Sequence, residues 1–246
     1  MAESLRTGGS AAFAEVINVT NNFQFSREIL KSSENGVSPS YFNHPRPLRS
    51  PSSSLTINGD IILCLSAKTC KEKLGAFRKN LKKLPLEFVY ITAPNKIPAE
   101  NSGDVASSNE DEYGWWFSAE DNTYDPLSSS DVSKGFDESI ELVKATFTNQ
   151  GQFDGVLGFS QGACFLSILC ALSEQGSLSF KFAILVAAFK SRSSGHSLYY
   201  TEPITCPTLH VFGDTDRVIP KGHFVPTQAP QKKVYIEFLE QFIKKT

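Results

Sequence analysis

The pentapeptide Gly158-Phe159-Ser160-Gln161-Gly162 has residue types and spacing that suit covalent catalysis. It lies between two apolar runs and places a serine between small residues. A sharp turn from a strand into a helix needs such small residues, because only then does the serine stand exposed at the end of a sheet. We therefore predict that Ser160 is a nucleophile and that the Gln161 backbone N–H faces the oxyanion. The alternative is a glycine-rich turn that only packs a helix on a strand.

A serine nucleophile needs a base that removes its proton and a carboxylate that orients the base. The chain order Ser, Asp, His of α/β-hydrolases favours His223 as the base, since His210 lies inside an apolar run typical of a strand. Asp216 follows that run, at the place where α/β sheets carry functional groups, and Asp214 is the second choice. Turn formation or helix capping would explain one of the two aspartates without catalysis. We predict no metal ion, because no partner carboxylate motif follows the first strand.

The adjacent residues Trp115 and Trp116 are the only two tryptophans of the chain. Neighbouring residues of an extended segment point to opposite faces, so they do not all line one pocket. Packing in the core is the favoured interpretation, and contact with a substrate is the alternative. In the second case apolar acyl chains would be the preferred ligands.

Composition excludes several classes of protein. The 246 residues include 24 basic and 26 acidic residues, for a formal charge of −2, and this balance without a basic block argues against nucleic acid as the main partner. The apolar run at residues 182–189 is far too short to cross a bilayer. No secretory signal is evident at the N-terminus. The five cysteines are odd in number and lack paired metal-binding spacing, which indicates that most are buried thiols in a reducing compartment, the cytoplasm or the nucleus.

The positions of the apolar runs divide the chain in two. Residues 1–59 are rich in serine and show no sustained periodicity, which predicts a disordered tail. Residues 60–246 alternate strand-like and helix-like segments, which predicts an α/β domain around a mostly parallel sheet flanked by helices. The predicted strands are 60–65, 87–92, 153–159, 181–188 and 207–213, and the predicted helices are 71–83, 136–147, 162–172 and 234–242. The polar, acidic stretch 95–112 is interpreted as a solvated loop, with an acidic docking surface as the alternative.

Four motifs in order give the chain a resemblance to a known family. They are residues 114–118 (GWWFS), 153–163 (FDGVLGFSQGA), 209–220 (LHVFGDTDRVIP) and 222–226 (GHFVP). With these motifs the chain resembles the FSH-type serine hydrolases from about residue 60 to residue 242. The resemblance implies an α/β-hydrolase fold and a carboxylic-ester or thioester hydrolase without a cofactor. Its triad falls on Ser160, Asp216 and His223.

The sequence departs from the family pattern at two connections. After Leu65 the family has a His-Gly turn that helps to build the oxyanion hole, whereas this chain enters a helix at once. Between Asp216 and His223 only six residues remain, so one late helix-strand segment is lacking. Both gaps resemble skipped coding segments, as in a truncated isoform or gene model. The alternative to an active esterase is therefore a catalytically impaired or non-catalytic binding protein on the same scaffold. The sequence leaves the oligomeric state open.

Overall fold

The computed structural model describes residues 14–19, 25–26, 60–64, 70–98 except 73, 112–213 except 152, and 225–243. Its strands are β1 (Ala14–Val19), β2 (Phe25–Ser26), β3 (Asp60–Cys64), β4 (Phe88–Thr92), β5 (Asn95–Lys96), β6 (Tyr113–Gly114), β7 (Gly155–Phe159), β8 (Phe182–Val186) and β9 (Thr208–Gly213). Its α-helices are α1 (Gly75–Leu81), α2 (Phe136–Gln150), α3 (Gln161–Glu174) and α4 (Ala229–Leu239), and a 3₁₀ helix spans Ser194–Tyr200. Strands and helices alternate as the sequence predicts, and the shifts of a few residues at their ends are ordinary for helix and strand termini.

One sheet carries the architecture. Its strand order is β2-β1-β9-β8-β7-β3-β4. Neighbouring strands are parallel throughout this order except for the antiparallel pair of β2 and β1. The parallel strands are β-branched or apolar over most of their length, as expected for strands buried on both faces. The segment that leads to Ser160 is β7, in the interior of the sheet. The predicted mostly parallel sheet flanked by helices is confirmed.

Helices cover both faces of the sheet, so that two apolar clusters form. Alternate residues of β8 divide between them: Phe182, Ile184 and Val186 face α1 and α4, whereas Ala183 and Leu185 face α2 and α3. This alternation is the period of two expected of a strand. Helix α3 is buried almost throughout, since it packs on β7 and β8 and is covered by the 3₁₀ helix. The residue that begins α3 is therefore held in a rigid frame.

Two strands come from the segment 1–59, which the sequence predicts to be a disordered tail. Strand β1 lies parallel to β9, with Ala14 opposite Thr208 and Val19 opposite Gly213, and β2 pairs antiparallel with β1. These eight residues differ from the prediction, because β9 offers an open edge that a strand distant in sequence can pair with. The rest of 1–59 lies outside the described residues, so the division into tail and domain stays a prediction.

The polar stretch 95–112 begins and ends at a short antiparallel pair. Strand β5 pairs with β6, with Asn95 opposite Gly114. The acidic residues between 99 and 111 lie outside the described residues, so the choice between a solvated loop and an acidic docking surface stays a prediction. Among the helices that the structure describes, none has both the length and the apolar character that a membrane span requires.

Candidate active site

Ser160 occupies the sharp turn between β7 and α3. Its backbone has φ 56° and ψ −122°, a left-handed conformation that residues other than glycine rarely adopt. The Ser160 N–H donates to the Val186 carbonyl of the neighbouring strand at 3.0 Å, and the Ser160 carbonyl accepts from Ala163 and Cys164 in the first turn of α3. The turn is thus fixed on both sides. Strain of this kind is concentrated at functional sites.

Gly158 makes the turn sterically feasible. A Cβ atom at this position would lie 2.4 Å from the Gly162 carbonyl oxygen and 2.8 Å from the Ala163 Cα. Real Cβ atoms do not approach backbone so closely, so α3 packs against β7 only because residue 158 lacks a side chain. The glycine before the serine is therefore required by helix packing. This is the close strand-to-helix approach that the sequence pattern predicts.

The first residue of α3, Gln161, binds the turn to the segment that contains the tryptophans. Its side chain is buried, its Oε1 accepts from the Trp115 N–H at 2.8 Å, and its Nε2 donates to the Trp116 carbonyl at 2.8 Å. The sequence singles out only the Gln161 backbone, whose N–H has no partner inside the helix because it is the first residue. The role of the side chain was missed. No sequence signal indicates it, because the partners of the amide lie 45 and 46 residues earlier in the chain.

Trp115 and Trp116 are buried, with 0% and 1% of their surface exposed. Trp115 stacks on Phe165 of α3 with ring centroids 4.7 Å apart, and Trp116 meets the Phe136 ring edge-on. The Trp115 carbonyl accepts hydrogen bonds from Ser139 and Asn95. This is the core packing that the sequence favours. A contact of either indole with a substrate stays a prediction.

Strands β7, β8 and β9 lie side by side, so the end of β9 is near the level of Ser160. Phe159 lies opposite Val186, which lies opposite Val211, so β9 continues for two residues beyond this level before it ends at Gly213. Parallel strands are about 4.8 Å apart, which puts β9 about 10 Å from β7 at the level of the serine. Asp214, Asp216 and His223 lie outside the described residues. Their place in the site stays a prediction.

The two histidines whose side chains the structure describes are unsuited to act as the base. His196 is buried, with its Nδ1 2.7 Å from the Ser191 hydroxyl, and burial lowers the pKa of its imidazole to about 4. Burial also lowers the pKa of His210 on β9. The enclosed His196 has no access to a substrate, and His210 belongs to strand β9. The described residues contain no group of three or more side chains able to hold a metal ion.

Comparison with known proteins assigns the family. The family described as Serine hydrolase (FSH1) matches residues 60–223, about two thirds of the chain. The chain belongs to this family. The match begins at β3 and runs through β9 to His223, so it includes the elbow at Ser160 and all residues expected in the triad.

Several relatives of this chain are named esterases. Esterase OVCA2 of Xenopus tropicalis is 41% identical over 199 residues, which cover 70% of this chain and 86% of the relative. The zebrafish (Danio rerio) protein of the same name is 40% identical, covering 74% of this chain and 96% of the relative. Human Esterase OVCA2 is 35% identical, again covering 74% of this chain and 96% of the relative.

The alignment lengths also bear on the two short connections of this chain. The alignment with human Esterase OVCA2 spans 218 residues, whereas it covers 74% of this 246-residue chain, which is fewer residues. The relative therefore has stretches without a counterpart here. We expect those stretches at the connections after Leu65 and Pro220.

Proposed function

We propose that this chain is a serine hydrolase that cleaves carboxylic esters through Ser160. The observation that supports the proposal best is the backbone of Ser160, held at φ 56° and ψ −122° between a buried strand and a buried helix. Nothing in the packing of a helix on a strand requires a serine in that conformation, which costs about 1–3 kcal/mol. A serine whose side chain must stand free of both elements does require it.

In the proposed reaction the Ser160 Oγ attacks the carbonyl carbon of the ester while His223 takes the hydroxyl proton. Asp216 orients the imidazole and stabilises its charged form. The oxyanion that develops accepts a hydrogen bond from the Gln161 N–H, aided by the N-terminus of α3. Collapse of the tetrahedral intermediate expels the alcohol, which receives the proton from His223. A water molecule then attacks the acyl-enzyme while His223 takes its proton. The second tetrahedral intermediate collapses, and Ser160 leaves with the proton from His223.

The assignment of His223 is supported by the state of the described histidines. Burial lowers the pKa of both His196 and His210, which belong to the core and to β9. His223 is followed by Val225, which packs against the cluster between α1 and α4, and by Thr227, whose carbonyl accepts a hydrogen bond from Asn80. The chain just after His223 is therefore attached to the domain. Asp214 remains the second choice for the acid.

The substrate class follows from the chemistry of an acyl-enzyme. Any carboxylic ester or thioester with an accessible carbonyl would react, since the same oxyanion forms in both. We propose small-molecule substrates with apolar acyl chains and a cytoplasmic or nuclear site of action. No cofactor takes part in the proposed steps.

A non-catalytic binding protein on the same scaffold is the second candidate. It is favoured by the two short connections, because the one after Leu65 omits the turn that supplies an oxyanion donor in the family. Loss of one such donor typically lowers turnover about 10²- to 10³-fold. A slow but real esterase would thus still be compatible with the first proposal.

Fluorophosphonate labelling of the purified chain tests the proposal. We expect label on Ser160, loss of label in Ser160→Ala, strong reduction in His223→Ala, and hydrolysis of short-chain and medium-chain p-nitrophenyl esters that is lost in the same variants. Ser177→Ala is the matched control, since Ser177 is exposed and lies beyond the C-terminal end of α3. Absence of label from a chain that circular dichroism shows to be folded would refute the enzyme and favour the binding protein.

A further inference from the structure

The last turn of α3 forms hydrogen bonds with the loop that leads into β9. Glu174 is exposed, and its carboxylate accepts three hydrogen bonds: from the Thr205 N–H at 2.8 Å, the Thr205 hydroxyl at 2.7 Å and the Cys206 N–H at 2.8 Å. Cys170 is four residues earlier in the same helix, and side chains four residues apart lie on the same face. The carboxylate therefore holds Cys206 against the helix face that carries Cys170.

The two cysteines are neighbours and differ in exposure. The neighbouring Cys206, burial and the nearby Glu174 together raise the pKa of the Cys170 thiol. Cys170 is fully buried, whereas Cys206 is partly exposed, and both are free. Cys164 is a third free thiol, but it lies in the first half of α3, where burial raises its pKa to about 12.

We propose that Cys170 and Cys206 form a site of reversible oxidation, at which a hydroperoxide converts the two thiols to an intramolecular disulfide. Two observations support the site. The backbone at Cys206 is held in place by the hydrogen bond to Glu174 before any oxidation occurs, and one sulfur of the pair is accessible while its partner is adjacent and buried. The proposal is independent of the hydrolase activity.

The chemistry takes two balanced steps. The accessible Cys206 sulfur attacks one oxygen of the hydroperoxide, and the O–O bond breaks. Cys206 becomes a sulfenic acid, and the other oxygen leaves as water or an alcohol. The Cys170 sulfur then attacks the sulfenic sulfur, the S–S bond forms, and the hydroxyl group leaves as water with the Cys170 proton. One molecule of hydroperoxide is reduced by two electrons for each disulfide. The high pKa of Cys170 makes the second step slow, because the thiolate is the nucleophile.

The disulfide would stabilise the end of the sheet that is opposite to the proposed active site. Helix α3 begins at the C-terminal ends of the strands, where Ser160 lies, and ends at their N-terminal ends, where β9 starts at Thr208. A crosslink between α3 and the residues before β9 closes a long loop that includes β8. Closure of such a loop raises the melting temperature by about 10 °C in a domain of this size. Ester hydrolysis at Ser160 should remain unchanged.

The experiment treats the full chain with hydrogen peroxide, blocks residual thiols and maps tryptic peptides. The expected product is a crosslink between the peptide 145–181 and the peptide 193–217. Because the first peptide contains both Cys164 and Cys170, Cys164→Ser decides which one reacts. We expect the crosslink in Cys164→Ser and in Ser160→Ala, and its absence in Cys170→Ser and Cys206→Ser.

Each result supports or overturns the site. Dithiothreitol should reverse the crosslink together with the increase of about 10 °C in melting temperature. A crosslink that persists in Cys170→Ser would overturn the assignment of the partner. Oxidation of Cys206 to sulfinic acid, or dimers linked through Cys206, without the internal crosslink would overturn the proposal. Because the crosslink should survive in Ser160→Ala, failure of the disulfide proposal is distinguishable from failure of the proposed esterase function.

Discussion

Replacement of Gln161 by Met tests whether the amide that joins the turn at Ser160 to the tryptophan segment stabilises the fold. Met has a similar length and no group able to replace the two hydrogen bonds of 2.8 Å to Trp115 and Trp116. The side chain is only 4% exposed, so water cannot take the place of the lost amide without entering the core. The backbone N–H of residue 161 is unchanged. The substitution therefore removes the two side-chain hydrogen bonds, here called the clamp, without removing the proposed oxyanion donor.

The magnitude follows from the groups left behind. The substitution leaves one buried N–H and one buried carbonyl without these partners, and each such group costs about 1–3 kcal/mol. The free energy of unfolding should therefore fall by about 2–6 kcal/mol. For a chain of this length the melting temperature falls by about 2–4 °C for each kcal/mol, so we expect a decrease of about 5–20 °C.

Urea unfolding followed by tryptophan fluorescence is the assay, since both indoles adjoin the clamp. Gln175→Met is the matched control, because Gln175 is exposed at the other end of α3 and its replacement should change the free energy of unfolding by less than about 0.5 kcal/mol. If Gln161→Met unfolds with the same free energy as Gln175→Met, the reasoning from the two buried hydrogen bonds is refuted.

Two further changes test the turn and the buried imidazole. Gly158→Ala puts a Cβ 2.4 Å from the Gly162 carbonyl oxygen. We expect it to lower the free energy of unfolding by about 1–3 kcal/mol and to cause a large loss of fluorophosphonate labelling. The control is Gly195→Ala, which should change neither measurement because nothing lies within 4 Å of the added Cβ. Because burial lowers the pKa of His196 from 6.5 to about 4, the unfolded chain binds the proton first, so unfolding free energy should fall by about 3 kcal/mol from pH 7 to pH 4. His196→Asn should lose that part of the pH dependence in urea titrations, and an unchanged pH profile would contradict the pKa shift.

Much of the fold could be predicted because local patterns and long-range packing agree. The apolar runs that become β7, β8 and β9 are short and bounded by turns, as expected for strands buried in a parallel sheet. The elbow at Ser160 was predicted from two glycines for the same reason: the steric demand is local. The strands β1 and β2 were not predicted, because their pairing depends on an edge that belongs to a strand almost 200 residues later.

The sequence by itself determined the class of the protein: the residue types of the expected triad, the glycines that a strand-to-helix turn requires, and the alternation of strands and helices around it. The tertiary structure alone decided what those residues touch. The side chain of Gln161 became a clamp on Trp115 and Trp116, and Glu174 placed Cys206 beside Cys170. Such contacts join residues tens of positions apart, and hydrogen bonds of this range depend on how the helices pack, which periodicity in the sequence does not encode.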